Sequence, residues 1–171
     1  MFKKLLENYK DYKRGKDALK PGHVKFEGNL FAKVIRADGV SKDLGLISKR
    51  LVTTAFCEDM VDELISETST WGDYKYHGSG TSDTAAAISD TTLGTEVTEA
   101  RATGTQVESG SVGYKTVGTQ DYTGTHDITE HGIFNSSSAG IMMDSHTLSA
   151  VGVVDGDSIQ WSYVLTISAG G

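Results

Sequence analysis

The stretch that decides the fold is Ser158-Ile159-Gln160-Trp161-Ser162-Tyr163-Val164-Leu165-Thr166-Ile167. Successive side chains of a strand point to opposite faces. Ile159, Trp161, Tyr163, Leu165 and Ile167 therefore share one face and Ser158, Gln160, Ser162 and Thr166 the other, with Val164 alone out of pattern. A sustained period of two in β-branched and aromatic types predicts a half-buried strand, and it demands an opposing apolar layer. Residues 147–154 form another extended apolar run. Asp155-Gly156-Asp157 between the two is a turn signal, so the pair reads as an antiparallel hairpin.

Working outward from this hairpin, residues 100–108, 113–123, 127–134 and 140–148 read as further strands, separated by Ser109-Gly110-Ser111, Thr123-Gly124-Thr125 and Asn135-Ser136-Ser137-Ser138. Gly-Thr pairs recur, but at irregular spacing, which marks strand ends rather than a solenoid repeat. Upstream, residues 44–52 read as a strand. Residues 24–35 read as a hairpin or an extended arm around Gly28-Asn29. One helix is predicted over about residues 54–67: Phe56, Cys57, Met60, Val61, Leu64 and Ile65 span one face, and Glu58, Asp59, Asp62, Glu63 and Ser66 the other. Thr53 or Thr54 suits its cap, the early acids suit its dipole, and Cys57 in the apolar stripe is expected to be buried and inert. The fold class is mainly β (α+β), an antiparallel β-sandwich with one amphipathic helix and an N-terminal arm.

That arm and its linker take residues 1–25, and the sandwich domain residues 26–171. Phe2, Leu5, Leu6, Tyr9 and Tyr12 fall in one helical stripe with Lys3, Lys4, Glu7, Lys10 and Asp11 elsewhere, so the segment reads as a short amphipathic, partner-binding helix. Residues 13–23 are polar, close on Pro21-Gly22 and read as a linker.

At 171 residues the chain makes one domain, burying roughly 70% of its unfolded surface. Gly at 20 residues and Pro at 1 suit short strands and tight turns, and the single cysteine excludes an internal disulfide or a cysteine metal cage. The net charge of −7 divides sharply: residues 1–25 carry +5, the remainder −12, and no Lys or Arg follows Lys115. An acidic body is not a nucleic-acid binder, and the arm faces something different from what the body faces. No run approaches a membrane span and no secretory segment is legible, so the chain is expected to be soluble and non-secreted.

Chemistry-bearing residues do not converge. His126, Asp127, Glu130 and His131 form the best ligand-type cluster, with Asp144 and His146 further on. His126 and His131 face opposite sides of a strand, and on a helix they lack the i, i+4 spacing of a zinc protease. Polar residues at strand ends are the better account. Gly78-Ser79-Gly80-Thr81-Ser82 lacks the Lys of a phosphate-cradling loop, and no Gly-x-Ser-x-Gly elbow occurs. The chain is read as non-enzymatic, with no cofactor and no metal.

Tyr74-Lys75-Tyr76-His77-Gly78-Ser79-Gly80-Thr81, then Asp90 with Leu93 and Glu96, Arg101-Ala102-Thr103-Gly104-Thr105-Gln106, Tyr114-Lys115-Thr116-Val117-Gly118-Thr119, Ile128-Thr129-Glu130-His131-Gly132-Ile133-Phe134 and Gly156-Asp157-Ser158-Ile159-Gln160 form an ordered set of motifs. Over about residues 44–171 this set resembles small tailed-phage virion structural proteins of the head-decoration or cement type. The resemblance implies a β-sandwich, jelly-roll-like in form, made in the host cytoplasm and carried on the capsid exterior. It would clamp neighbouring copies of the major capsid protein and form a homo-oligomer at a local symmetry axis, with neither nucleic acid nor membrane as partner. It carries over no contact residue. Phe2, Leu5, Leu6, Tyr9 and Tyr12 are this reading's own candidates for partner anchors, steered by the arm's lysines. The alternative is a tail or host-recognition component binding a receptor or glycan through Trp71, Tyr74 or Tyr76, unless those rings belong to the core.

Overall fold

The structure is a computed structural model, and it describes residues 23–65 and 74–170. Among them the elements are β1 (His23–Ile35), β2 (Ser41–Val52), α1 (Thr54–Ile65), β3 (Tyr76–Gly80), β4 (Ala102–Thr103), β5 (Thr105–Glu108), β6 (Gly113–Asp121), β7 (His126–Phe134), β8 (Met142–Val153) and β9 (Ser158–Gly170). The fold is mainly β. Every pairing is antiparallel, and the strands make one sheet in the order β4-β3-β7-β8-β2-β1-β9-β6-β5, nearly closed into a barrel.

β9 behaves as its alternation predicts. Ile159, Trp161, Tyr163 and Leu165 are at most 2% exposed, whereas Gln160, Ser162, Val164 and Thr166 are half-buried. Leu30, Ala32 and Val34 of β1, Ile128 of β7 and Val151 and Val153 of β8 complete the apolar interior. Each fully buried side chain of this size is worth about 1.5–3 kcal/mol against exposure, so the β9 face is the largest single contribution to the core.

The expected β8–β9 hairpin is not there. Asp155-Gly156-Asp157 is a turn, with Gly156 at φ 84°, but β9 pairs with β1 and β6 while β8 pairs with β7 and β2. The reason is Asp157. Its carboxylate accepts from the Arg36 guanidinium at 2.7 Å and from the backbone N–H groups of Ala37 and Val154 at 3.0 Å each. The turn is thereby fastened to the end of β1, and β9 zips onto β1 from Ile35↔Ser158 to His23↔Gly170.

Of the two readings of residues 24–35, the extended one agrees with the structure: they lie in one strand, not in a hairpin around Gly28-Asn29. β3 takes in Gly78-Ser79-Gly80, part of the stretch that lacks the Lys of a phosphate-cradling loop.

The helix is capped as expected by Thr53, whose hydroxyl oxygen accepts from the Phe56 N–H at 3.2 Å and donates to the Met142 carbonyl at 2.5 Å. No acid lies in its first turn. The burial expected of its stripe is corrected: Phe56 is buried, Met60 is half-buried, and Cys57, Val61, Leu64 and Ile65 are exposed. The body covers one edge of the stripe only. Phe56 stands edge-on to Tyr74 and Phe26 at centroid distances of 5.1 and 6.2 Å.

Candidate functional site

The barrel interior is not wholly apolar. Arg50 of β2 and Asp144 of β8 form an ion pair with both side chains fully buried, Nη2 and Nε lying 2.9 and 3.2 Å from Oδ1. Nη2 also donates to the carbonyl oxygen of His131. Gly28 opposite Arg50 makes the space: a Cβ there would stand 2.7 Å from the Arg50 Cβ and 3.1 Å from Asp144 Oδ2. The Tyr163 ring is buried beside the pair, and burial, followed by the charge of Asp144, pushes its phenol well above the usual tyrosine pKa.

Beyond the ion pair lie two buried histidines. His77 Nδ1 and His131 Nε2 are 3.2 Å apart, and His77 Nε2 is 3.3 Å from Thr116 Oγ1. The His131 ring also packs on Trp161 at a centroid distance of 4.7 Å. Burial and the nearby Arg50 charge lower the pKa of His77 to about 3, and the same causes, with His77 itself, hold His131 well below the usual histidine range. Both rings are therefore neutral at pH 7. Among the described residues His131 Nδ1 has no hydrogen-bond partner. Leaving it a bare lone pair costs less than stranding a buried N–H, so His131 Nε2–H donates to His77 and His77 Nε2–H donates to Thr116. The chain of bonds runs from β7 through β3 to β6.

On the other side of β7, the Glu130 carboxylate accepts from the N–H groups of Thr95, Gly94 and Ser82 at 2.7, 2.9 and 3.3 Å, lashing residues 81–95 to the barrel. A polar cleft of about 370 Å³ lies beside it, with Asp90, His146 and Thr147 in its lining. Arg101 serves the neighbouring loop. It holds Glu96 at 2.6 and 2.9 Å, donates to the carbonyls of Ser136 and Ala139, and lies 3.4 Å over the Phe134 ring.

The candidate ligands separate accordingly. His126 sits with Glu99 at 3.1 Å, the interior His131 ring and Asp144 carboxylate bond different groups, His77 and Arg50, and His146 donates to the Thr147 carbonyl at 2.6 Å. Among the described residues no three His, Cys, Asp or Glu side chains are grouped to hold a metal, and no helix is long and apolar enough to cross a membrane. Phe2, Leu5, Leu6, Tyr9 and Tyr12 lie outside the described residues, as does Trp71. Tyr74 is core, 2% exposed, its hydroxyl donating to Asp59 at 2.6 Å. Tyr76 packs half-buried on Leu93, Phe134 and Met142.

Arg50, which pairs with Asp144 and donates to the backbone carbonyl of His131, was invisible in the sequence, where Ser48-Lys49-Arg50 reads as a polar interruption of a strand. The motif residues Arg101, Gly104, Gly118, Glu130, His131 and Asp157 turn out to hold loops, seams and turns together. No protein-family model matches the chain, and no curated protein is similar enough in sequence to count as a relative.

Proposed function

We propose that the chain is a non-enzymatic structural protein of a tailed-phage virion, a cement or decoration protein that binds the outside of the capsid lattice, contacts the major capsid protein and stabilises the shell as a homo-oligomer. The observation that carries this reading is the way the basic N-terminal segment is rooted. It runs directly into β1, which is paired with β9 along its whole length and with β2 on its other edge. Antiparallel ladder bonds lie perpendicular to the strands, so a pull along the arm loads the β1 bonds in shear together instead of one at a time. A tether between an expanding shell and a nearly closed β body needs this geometry.

The charge division adds support, a +5 segment on a −12 body, as do the ordered motifs that resemble the decoration group. In the same reading, β2-β1-β9-β6-β5 and β4-β3-β7-β8 are the two layers of a flattened, jelly-roll-like sandwich. The tail or receptor-binding alternative finds less support, because Tyr74 and Tyr76 are engaged in packing. The test is co-sedimentation of the purified protein with undecorated, expanded capsids of the same virus. Saturable, stoichiometric binding that is lost on deleting residues 2–20 is expected; binding unchanged by the deletion would remove the arm from the mechanism, and no binding by folded protein would remove the capsid.

A further inference from the structure

The apolar arc of α1 is wider than the surface that covers it. Taking 100° per residue, Phe56 and Met60 form the edge turned to the body, while Cys57, Val61, Leu64 and Ile65, at i, i+4, i+7 and i+8, form a second stripe that is exposed. Val61 is 58%, Leu64 80% and Ile65 79% exposed, the largest apolar exposure on any one described element. Glu58 and Asp62, both exposed, border that stripe on one side, and the helix carries no basic residue.

The N-terminal segment has the complementary pattern. As a helix, residues 2–12 present Phe2, Leu5, Leu6 and Tyr9 on one stripe, bordered by Lys3 and Lys10. Its attachment point is also adjacent to α1: β1 starts at His23, and Phe26, three residues on, has its ring against Phe56. Residues 13–22 span up to about 33 Å when extended, and α1 is about 18 Å long, so the reach suffices without a second chain.

We infer that the outer stripe of α1 is the docking site of the chain's own N-terminal segment, in the same molecule, with Phe2, Leu5, Leu6 and Tyr9 laid against Cys57, Val61, Leu64 and Ile65, and Lys3 and Lys10 facing Glu58 and Asp62. This goes beyond the capsid reading and stands or falls in the free protein. Where a capsid surface competes for the same anchors, α1 releases them.

Cys57, the sole cysteine, reports on the stripe without any engineered label. In the full-length chain its reaction with a thiol reagent such as a disulfide chromophore is expected to be about tenfold slower than in a Leu5→Ser/Leu6→Ser variant, a factor corresponding to ~1.4 kcal/mol of docking, and the ratio is expected to be independent of protein concentration. Equal rates in the two proteins would overturn the inference. Protection that fades on dilution would also overturn it, assigning the stripe to a second copy. The readout involves no capsid, so its failure and failure of the capsid reading are separate results.

Discussion

At the scale of single residues, the centre of this molecule is the Arg50–Asp144 pair. Withdrawing two charges from water is costly, and the cost is offset here by a two-nitrogen contact to one carboxylate oxygen and a further bond to the His131 carbonyl. Removing one partner strands the other in a buried site. Arg50→Met and Asp144→Leu are each expected to destabilise by about 3–5 kcal/mol, and the double variant by far less than their sum. Equilibrium urea denaturation of the three variants checks this; additive losses would contradict it. A sequence pattern cannot locate such a pair. Lys49 and Arg50 are adjacent charged residues of the same strand, yet one is exposed and the other has a fully buried side chain. Alternation separates two faces without saying which is inside, and Gly28, whose missing Cβ admits Arg50, reads locally as a turn former.

At the scale of elements, α1 shows what local signals do and do not settle. Its start is written in Thr53, and the apolar spacing is genuinely helical. How much of the stripe is covered depends on the neighbouring surface, which here accepts Phe56 and leaves Leu64 outside. Thr53 does two things at once, capping the helix and bonding the Met142 carbonyl on β8. Thr53→Ala is therefore expected to cost about 1–2 kcal/mol, at or above the upper end of that range because the bond to β8 is lost too, while Thr53→Ser retains most of the stability. Chemical denaturation followed at the helical circular dichroism band separates these outcomes. The Asp155-Gly156-Asp157 turn makes the same point. Its local conformation was legible, but the same turn serves a hairpin or a crossing between strands that do not pair, and the contact with Arg36 and Ala37 selects the crossing.

At the scale of the whole molecule, closure is the decisive event. β4 and β5 are one extended segment interrupted at Gly104, whose N–H donates to the Lys75 carbonyl at 2.7 Å. β4 pairs with β3 and β5 with β6, so the segment stitches the two ends of the sheet. A Cβ on Gly104 would lie 2.0 Å from Thr116 Oγ1, and one on Gly118 2.9 Å from His77 Cδ2, so the seam requires glycine at both places. His77, bonded to Thr116, crosses it. This gives the fold a pH dependence with a definite sign. Both histidines have folded-state pKa values below their unfolded value of 6.5, so below that pH the unfolded chain binds more protons than the folded one. Their contribution is fully present above pH 6.5 and is lost as pH falls from there, for His77 down to about 3, by at most about 1.4 kcal/mol per pH unit for each. The depressed carboxylates Glu99 and Asp157 have reference values of 4.5 and 3.8 and act lower, so the interval from 6.5 to 5 lies above the range of those two groups. Denaturation midpoints are expected to fall across it, and a flat profile would show that the pair titrates freely or is not buried.

The sequence by itself determined the mainly β class, the strand at residues 158–167 with its inner and outer faces, the position and cap of the helix, and the division between a basic N-terminal segment and an acidic body. Those follow from periodicity, capping chemistry and composition, which act over a few neighbours. Only the tertiary structure decided that β9 pairs with β1 and β6, that the segment around Gly104 brings the two ends of the sheet together, and that Arg50, Asp144, His77 and His131 meet inside it. Each of these depends on groups brought together from distant parts of the chain, where the favourable pairing is set by which edge, cavity or charge is already waiting there.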